Sequence, residues 1–467
     1  MASIQLCKRF DPTPACSTSV ASEDPLQRSP RHRVTYPKLP SFTSSATTIS
    51  RPLPSAKPPS DQAFLGYGRP MPDPTTPVTD ILDPTWWQSD PQEVFAQLRR
   101  YPGLWRDSRS GFWLVARHAD VLAVERNPTV FASRHDGAGA YRVVPSVDEA
   151  TMISHDDPQH LSQRRLVNRR FTPAAVRGHA QHYTDLVGQL VDEALREHAE
   201  RGWVEVIDAL AAQLPCRVTA ELIGFGADRW REVKSWSERQ MRIDRRYEEP
   251  DVLDDLTASI HEWAAVMSEV LPERFANPAD DLFSDWLAGG MDPAVMVQET
   301  GLLIAGGAET TRTVIAHGLR TFVDHPADWE YLARDPRRVE AAVEELIRWV
   351  TPLNNMFRIA TTDTELAGTQ MRAGDRIALV YPAANRDPAV FSDADRFDVR
   401  RDPNPHLSFG HGTHFCLGAN LARIELRLLF EELSRRITNL RAVSEPRVEA
   451  NIFARAVTHF ELGFDLR

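Results

Sequence analysis

The sequence predicts a mainly α-helical α+β domain, a large helical unit with small β-sheets, over residues 79–467. Three observations lead there. Apolar residues recur at helical spacing through most of the second and third quarters of the chain. Only a few short apolar runs, such as 111–116 and 377–380, read as strands. The residues with chemical character run from His160 to Cys416 and must converge on one site, so the 467-residue chain reads as one catalytic domain after an extension.

Residues 1–78 are dense in Pro, Ser and Thr, with little apolar periodicity, and are expected to form a disordered extension. They contain no apolar run suited to a secretory signal or membrane anchor, and their basic character hints only weakly at a transit peptide. The spacing then predicts a helix over 86–100 and a strand over 111–116. Pro158 opens a helix that carries His160 and Arg164 on one face. Further helices are expected over 183–198, 228–242, 253–275 and around Glu309, then over 338–349. Arg358 is expected on a strand after that helix, 377–380 is expected as another strand, and a helix over 417–430 follows Cys416. Short strands close the chain, and no internal repeat is apparent.

The net charge of −11, with no basic stripe interleaved with aromatics, argues against nucleic-acid binding. Cys7, Cys16, Cys216 and Cys416 make neither a disulfide framework nor zinc spacing, which fits a reducing cytoplasm.

The densest chemical signal is Phe409-Gly410-His411-Gly412-Thr413-His414-Phe415-Cys416-Leu417-Gly418. A lone cysteine is ordinarily a small buried hydrophobe. Here glycines flank it and a helix begins just after it. Gly410 and Gly412 allow the backbone to turn amides toward the sulfur, Gly418 lets the following helix approach a flat ligand, and the helix N-terminus is expected to lower the thiol pKa. Upstream, Ile304-Ala305-Gly306-Gly307-Ala308-Glu309-Thr310 sets two helix-weakening glycines beside an acid and an alcohol able to relay protons. Glu345 and Arg348 share a helix face, with Glu344 a geometric competitor.

Together these stretches resemble the cytochrome P450 family. The cysteine loop matches Phe-Gly-x-Gly-x-His-x-Cys-x-Gly at every fixed position, the glycine-acid-alcohol segment is similar to the oxygen-activation motif, and Glu345 with Arg348 to the Glu-x-x-Arg pair, completed downstream by Arg396. The resemblance implies the cytochrome P450 fold around a buried haem b, with Cys416 as the axial ligand of the iron and Phe409, Gly410 and Gly418 shaping its loop. It implies His160, Arg164, Arg358 and His414 as partners of the haem propionates, and Glu309 and Thr310 as the proton-delivering pair. Glu345, Arg348 and Arg396 would be structural. Dioxygen would be co-substrate. Electrons would travel from NAD(P)H through a ferredoxin reductase and ferredoxin, docking on Arg164, Arg165, Arg169, Arg170, Arg423 and Arg427.

By position in that fold, Met241, Ile243, Ile304, Ala308, Leu353, Asn355, Met356, Ile452 and Phe453 would line an apolar substrate pocket. Several stretches, among them Asp157-Pro158-Gln159-His160-Leu161 and Asn355-Met356-Phe357-Arg358, are similar to actinobacterial enzymes that hydroxylate the side-chain terminus of cholesterol and cholest-4-en-3-one. The implied activity is a soluble, cytoplasmic monooxygenase acting on a steroid or other lipid. Fatty acids, terpenoids or other natural products are alternative substrates. A peroxygenase commonly lacks the acid-alcohol pair, and a non-enzymatic haem sensor would need only Cys416 and the propionate partners.

Overall fold

The computed structural model describes residues 79–133, 151–245, 249 and 251–467. The extension expected over 1–78 lies outside the described residues.

A single helix, Pro293–Asp324, organises the architecture. Asp292 caps its start by accepting the Ala294 N–H, Pro293 occupies a position where no intrahelical donor is required, and Pro326 begins the next helix. The first half of this long helix packs Met296, Ile304 and Ala308 into an apolar cluster shared with Gln213–Ile223, Trp230–Met241, Val252–Ala276 and Leu282–Ala288. The second half packs Val314, Ile315, Leu319 and Phe322 into another cluster, with Ala180–Arg201, Val339–Val350 and Ala419–Arg436. The helix thereby joins two apolar cores, with Glu309 and Thr310 near the junction.

The sheets are small. One has five strands in the order Trp105–Arg106, Trp113–Val115, Arg376–Val380, Asn355–Ala360, Phe131–Ala132, and all its pairings are antiparallel except that of Trp113–Val115 with Arg376–Val380. Arg358 therefore lies on a strand, as expected, opposite Ile377. Another sheet places Glu461–Leu466 between Val204–Glu205 and Ile437–Ala442.

Most helices fall within a few residues of the expected bounds, but the helix expected over 86–100 is two, Pro84–Gln88 and Gln92–Arg100. Pro91 has no N–H to continue the first helix and disfavours helical geometry in the residue before it, and Asp90 adopts φ 51°. The helix after Cys416 starts at Ala419 and runs to Arg436, longer than expected, because buried Leu429, Phe430 and Leu433 extend its apolar stripe. Among the described residues, no helix is long and apolar enough to cross a membrane.

Candidate active site

Cys416 lies where the loop turns into Ala419–Arg436, with Gly418 as the helix N-cap. Its N–H donates to the Phe409 carbonyl at 2.8 Å. The amides that face its sulfur belong to Gly418 and Ala419, and these, with the charges of Arg164 and Arg423, favour the thiolate. Burial outweighs them and pushes the thiol up from its ordinary value. The helix N-terminus thus lowers the thiol pKa as expected, through the Gly418 and Ala419 amides, but desolvation of the anion is the larger effect.

Gly410 and Gly412 take the glycine-favouring backbone expected of them, but the amides at the sulfur are those of Gly418 and Ala419. Both have positive φ, 65° and 71°. A Cβ on Gly410 would sit 3.0 Å from Glu125 Oε1, and one on Gly412 would sit 2.4 Å from the Glu125 carbonyl oxygen. The missing side chains let the loop lie against the end of helix His118–Glu125. Phe409 is partly buried against the core under the Arg423 guanidinium, whose Cζ is 4.5 Å from the ring centroid.

The expected cationic residues gather beside this loop. His160 and His414 have ring centroids 4.2 Å apart. His160 Nδ1 lies 3.0 Å from Asp157, and His414 Nε2 lies 3.0 Å from the Ser133 hydroxyl. Burial, reinforced by Arg358, His160 and Arg164, drops the His414 pKa to about 2, so this imidazole acts as a neutral hydrogen-bonding group. Arg164 donates to the Thr413 and Phe415 carbonyls, and buried Arg358 donates to the Phe357 carbonyl at 2.8 Å.

On the long helix the two glycines separate in role. The Cβ position of Gly306 faces open space, whereas a Cβ on Gly307 would meet the Thr219 hydroxyl at 2.6 Å, so Gly307 permits close packing of helix Gln213–Ile223. The Thr310 hydroxyl donates to the Gly306 carbonyl at 3.0 Å. Glu309, the adjacent residue, points elsewhere. It is buried, its Oε2 lies 3.3 Å from Arg312 Nη1, and its Oε1 has no partner. Burial raises its pKa against the pull of Arg312. Arg312 Nη1 also reaches Glu238 at 2.9 Å, Glu238 pairs with Lys234 at 2.9 Å, and Lys234 meets exposed Asp208 at 3.3 Å. A charged chain thus leads from buried Glu309 to the surface. The sequence analysis did not single out Lys234 and Glu238, whose i,i+4 spacing is common to many helical ion pairs.

Glu345 and Arg348 form a fully buried bidentate pair, with contacts of 2.7 and 2.8 Å. The expected third member is corrected. Arg396 contributes only its carbonyl, to Arg348 Nη2 at 3.1 Å, while the arginine side chain that reaches Glu345 is Arg401, at 3.1 Å, joined by the Asn404 amide at 3.2 Å. The turn after Arg396 carries Arg401 back over the pair, and nothing in the doublet Arg400-Arg401 marks this in the sequence. Glu344 does not compete for Arg348. It binds Arg423 at 2.7 and 2.8 Å and His406 at 3.2 Å, which hold its carboxyl down to about 2 even though it is largely buried.

Of the nine expected pocket residues, Met241, Leu353 and Phe453 come together, with Ala305 and Ala454. Ile304 and Ala308 do not join them. Helical phase turns both into the core against helices such as Gln213–Ile223 and Val252–Ala276, and Ala305 takes their place. Ile452 packs with Phe357 and Phe112 in the N-terminal core, Met356 with the core around Val115 and Leu379, and Ile243 is buried. Asn355 is buried and donates to the Ile452 carbonyl at 2.9 Å, so it ties two segments together.

The description "Cytochrome P450" belongs to the family model that matches residues 338–439. A steroid C26-monooxygenase of Mycolicibacterium smegmatis is 34% identical over 380 residues, covering 80% of this chain and 92% of that protein. A linalool 8-monooxygenase of Pseudomonas putida is 33% identical, covering 79% and 94%. Among solved structures, a Mycobacterium marinum cytochrome P450 in complex with pseudoionone has a TM-score of 0.73 at 32% identity, covering 80% of this chain and 95% of that one. The chain belongs to the cytochrome P450 family and is a monooxygenase with that fold. Haem and dioxygen follow from the family. The residues present suit a haem: one thiol faced by two amides at a loop-to-helix junction, an adjoining cluster of two arginines and two histidines, and a glycine opening beside a hydroxyl on the long helix.

Proposed function

We propose that this monooxygenase hydroxylates an elongated apolar substrate, specifically the side-chain end of a sterol or steroid such as cholesterol or cholest-4-en-3-one. The observation that carries the reading is the apolar cluster of Met241, Leu353, Phe453, Ala305 and Ala454, in which Ala305 is the chain neighbour of Gly306. Similarity to steroid C26-monooxygenases supports it. Cys416 binds the iron, and Arg164, Arg358, His160 and His414 hold the haem carboxylates. When bound, the haem supplies a thiolate-ligated iron for activating dioxygen. Thr310 holds a proton at Oγ1 beside the Gly306 opening. Glu309, whose carboxyl burial pushes up against the pull of Arg312, is the acid of the pair, and the ion pairs of Arg312 with Glu238 and of Glu238 with Lys234 tie its end of the helix to the polar surface.

Electrons come from NAD(P)H through a ferredoxin reductase and ferredoxin in this reading. Of the six arginines offered for docking, Arg164 is engaged with backbone carbonyls, Arg169 and Arg170 with Asp285, Arg423 with Glu344 and Arg427 with Glu431. Exposed Arg165 is the one with no hydrogen bond or ion pair among the described residues, so it presents its charge to a partner. Arg165→Glu is expected to slow reduction by ferredoxin and weaken its salt dependence; an unchanged rate removes this docking surface.

Titrating the ferric holoenzyme with cholest-4-en-3-one, and in parallel with linalool, while following the Soret band tests the substrate. A saturable high-spin shift with the steroid supports side-chain hydroxylation. A shift with linalool alone makes the substrate a terpenoid, the reading favoured by the other relative. Thr310→Ala should raise uncoupled peroxide release. Cys416→His should abolish the thiolate-type carbonyl spectrum.

A further inference from the structure

Glu125 is the last residue of helix His118–Glu125 and lies under the loop that carries Cys416. Its side chain is buried. Oε1 accepts a 2.7 Å hydrogen bond from the Tyr381 hydroxyl, the His411 backbone N–H faces the carboxyl, and Oε2 has no partner. The two left-handed glycines of the cysteine loop lie against this residue, Gly410 against its carboxyl and Gly412 against its backbone carbonyl. The nearby cation is Arg358, itself buried on strand Asn355–Ala360 and already donating to the Phe357 carbonyl. The remaining groups that face the carboxyl are Tyr381, from helix Tyr381–Ala384, and His411, whose Nε2 accepts from Arg126 Nε at 3.2 Å.

We propose that the Glu125 carboxylate is the proton acceptor coupled to one-electron reduction of the haem in this enzyme. The proposal rests on the haem-thiolate reading of Cys416. The buried Arg358 guanidinium acts on Glu125 and, in the haem reading, would also hold a haem carboxylate, so one cation would serve two acids. With Glu125 ionised, a low-dielectric region that already holds a thiolate carries a further negative charge, and adding an electron to the iron is disfavoured. The balanced step is one electron from an external one-electron donor to ferric iron and one proton from solvent to Glu125, forming its O–H bond. Burial pushes the Glu125 carboxyl up to about 7, while Tyr381 and Arg358 pull it down, so the proton exchanges near neutrality. Glu125 acts as a positioning and charge-setting residue, since it contacts the loop and not the reacting atoms.

The test is a spectroelectrochemical titration of the holoenzyme with dithionite and redox mediators, from about pH 5.5 to about pH 8.5. One proton per electron makes the ferrous-to-ferric equilibrium constant fall by up to about tenfold per pH unit on the alkaline side of the transition. Glu125→Gln, which preserves the acceptor for Tyr381, is expected to flatten this dependence. Tyr381→Phe keeps the carboxyl but removes a hydrogen bond to its ionised form, so the break should move to higher pH. A wild-type slope in Glu125→Gln overturns the proposal. Should Glu125→Gln fail to take up haem, an unmoved break in Tyr381→Phe overturns it instead. A thiolate-type ferrous-carbonyl spectrum alongside a pH-independent wild-type potential refutes only this coupling; a wild type without that spectrum refutes the reading of Cys416.

Discussion

Replacing Glu299 with glutamine should make the protein more stable relative to wild type as the pH rises. Glu299 lies on the long helix, seven residues before Gly306 and so two turns away on the same face. Oε1 accepts the Met152 N–H at 2.6 Å, while Oε2 is buried without a partner. Loss of water raises the carboxyl from 4.5 to about 7, with only the Met152 amide acting against it. Between these values the folded state binds more protons than the unfolded state, so the stability of the wild type falls as pH rises through that window. From about pH 5 to about pH 8 the loss from this group is about 2.5 kcal/mol, given a folded value of about 7 against 4.5 unfolded. Glutamine keeps an oxygen for Met152 and does not titrate. Urea unfolding of both holoenzymes across this range should therefore show their stability difference moving by about that amount in favour of the variant. Contributions from the other raised acids, Glu125 and Glu425, are common to both proteins and cancel. A stability difference that stays constant with pH refutes the reasoning.

Gly412→Ala places a Cβ 2.4 Å from the Glu125 carbonyl oxygen at φ 71°, so the loop must shift and haem content after purification should drop, more than in Gly410→Ala, where the 3.0 Å neighbour is a side-chain oxygen. Left-handed backbone alone costs about 1–2 kcal/mol for alanine in either variant. Arg401→Gln removes a charged donor from buried Glu345 and should cost about 2–3 kcal/mol in urea unfolding, whereas Arg396→Gln retains its carbonyl and should cost little; the reverse order would restore Arg396 as the third member. Ala305→Phe puts a ring into the cluster of Met241, Leu353 and Phe453 and should abolish the steroid-induced Soret shift while leaving the ferrous-carbonyl spectrum intact.

The sequence by itself determined the class of protein, because the requirements of its chemistry are local. A loop able to present Cys416 at a helix start, an acid beside an alcohol after paired glycines, and Glu345 three residues before Arg348 are each legible within about ten residues. Helical periodicity likewise revealed the long helices, since each buries one continuous stripe. The tertiary structure decided what depends on facing surfaces. Helical phase sent Ile304 and Ala308 into the core and brought Ala305 to the apolar cluster of Met241, Leu353 and Phe453. The turn after Arg396 put Arg401 on Glu345. Glycines that read as servants of the sulfur proved to make room for Glu125, a residue distant in sequence that nothing local marks out. Burial outweighs the help that the helix terminus gives the Cys416 thiolate, because desolvation is a property of the whole packed environment and a helix terminus is only one part of it.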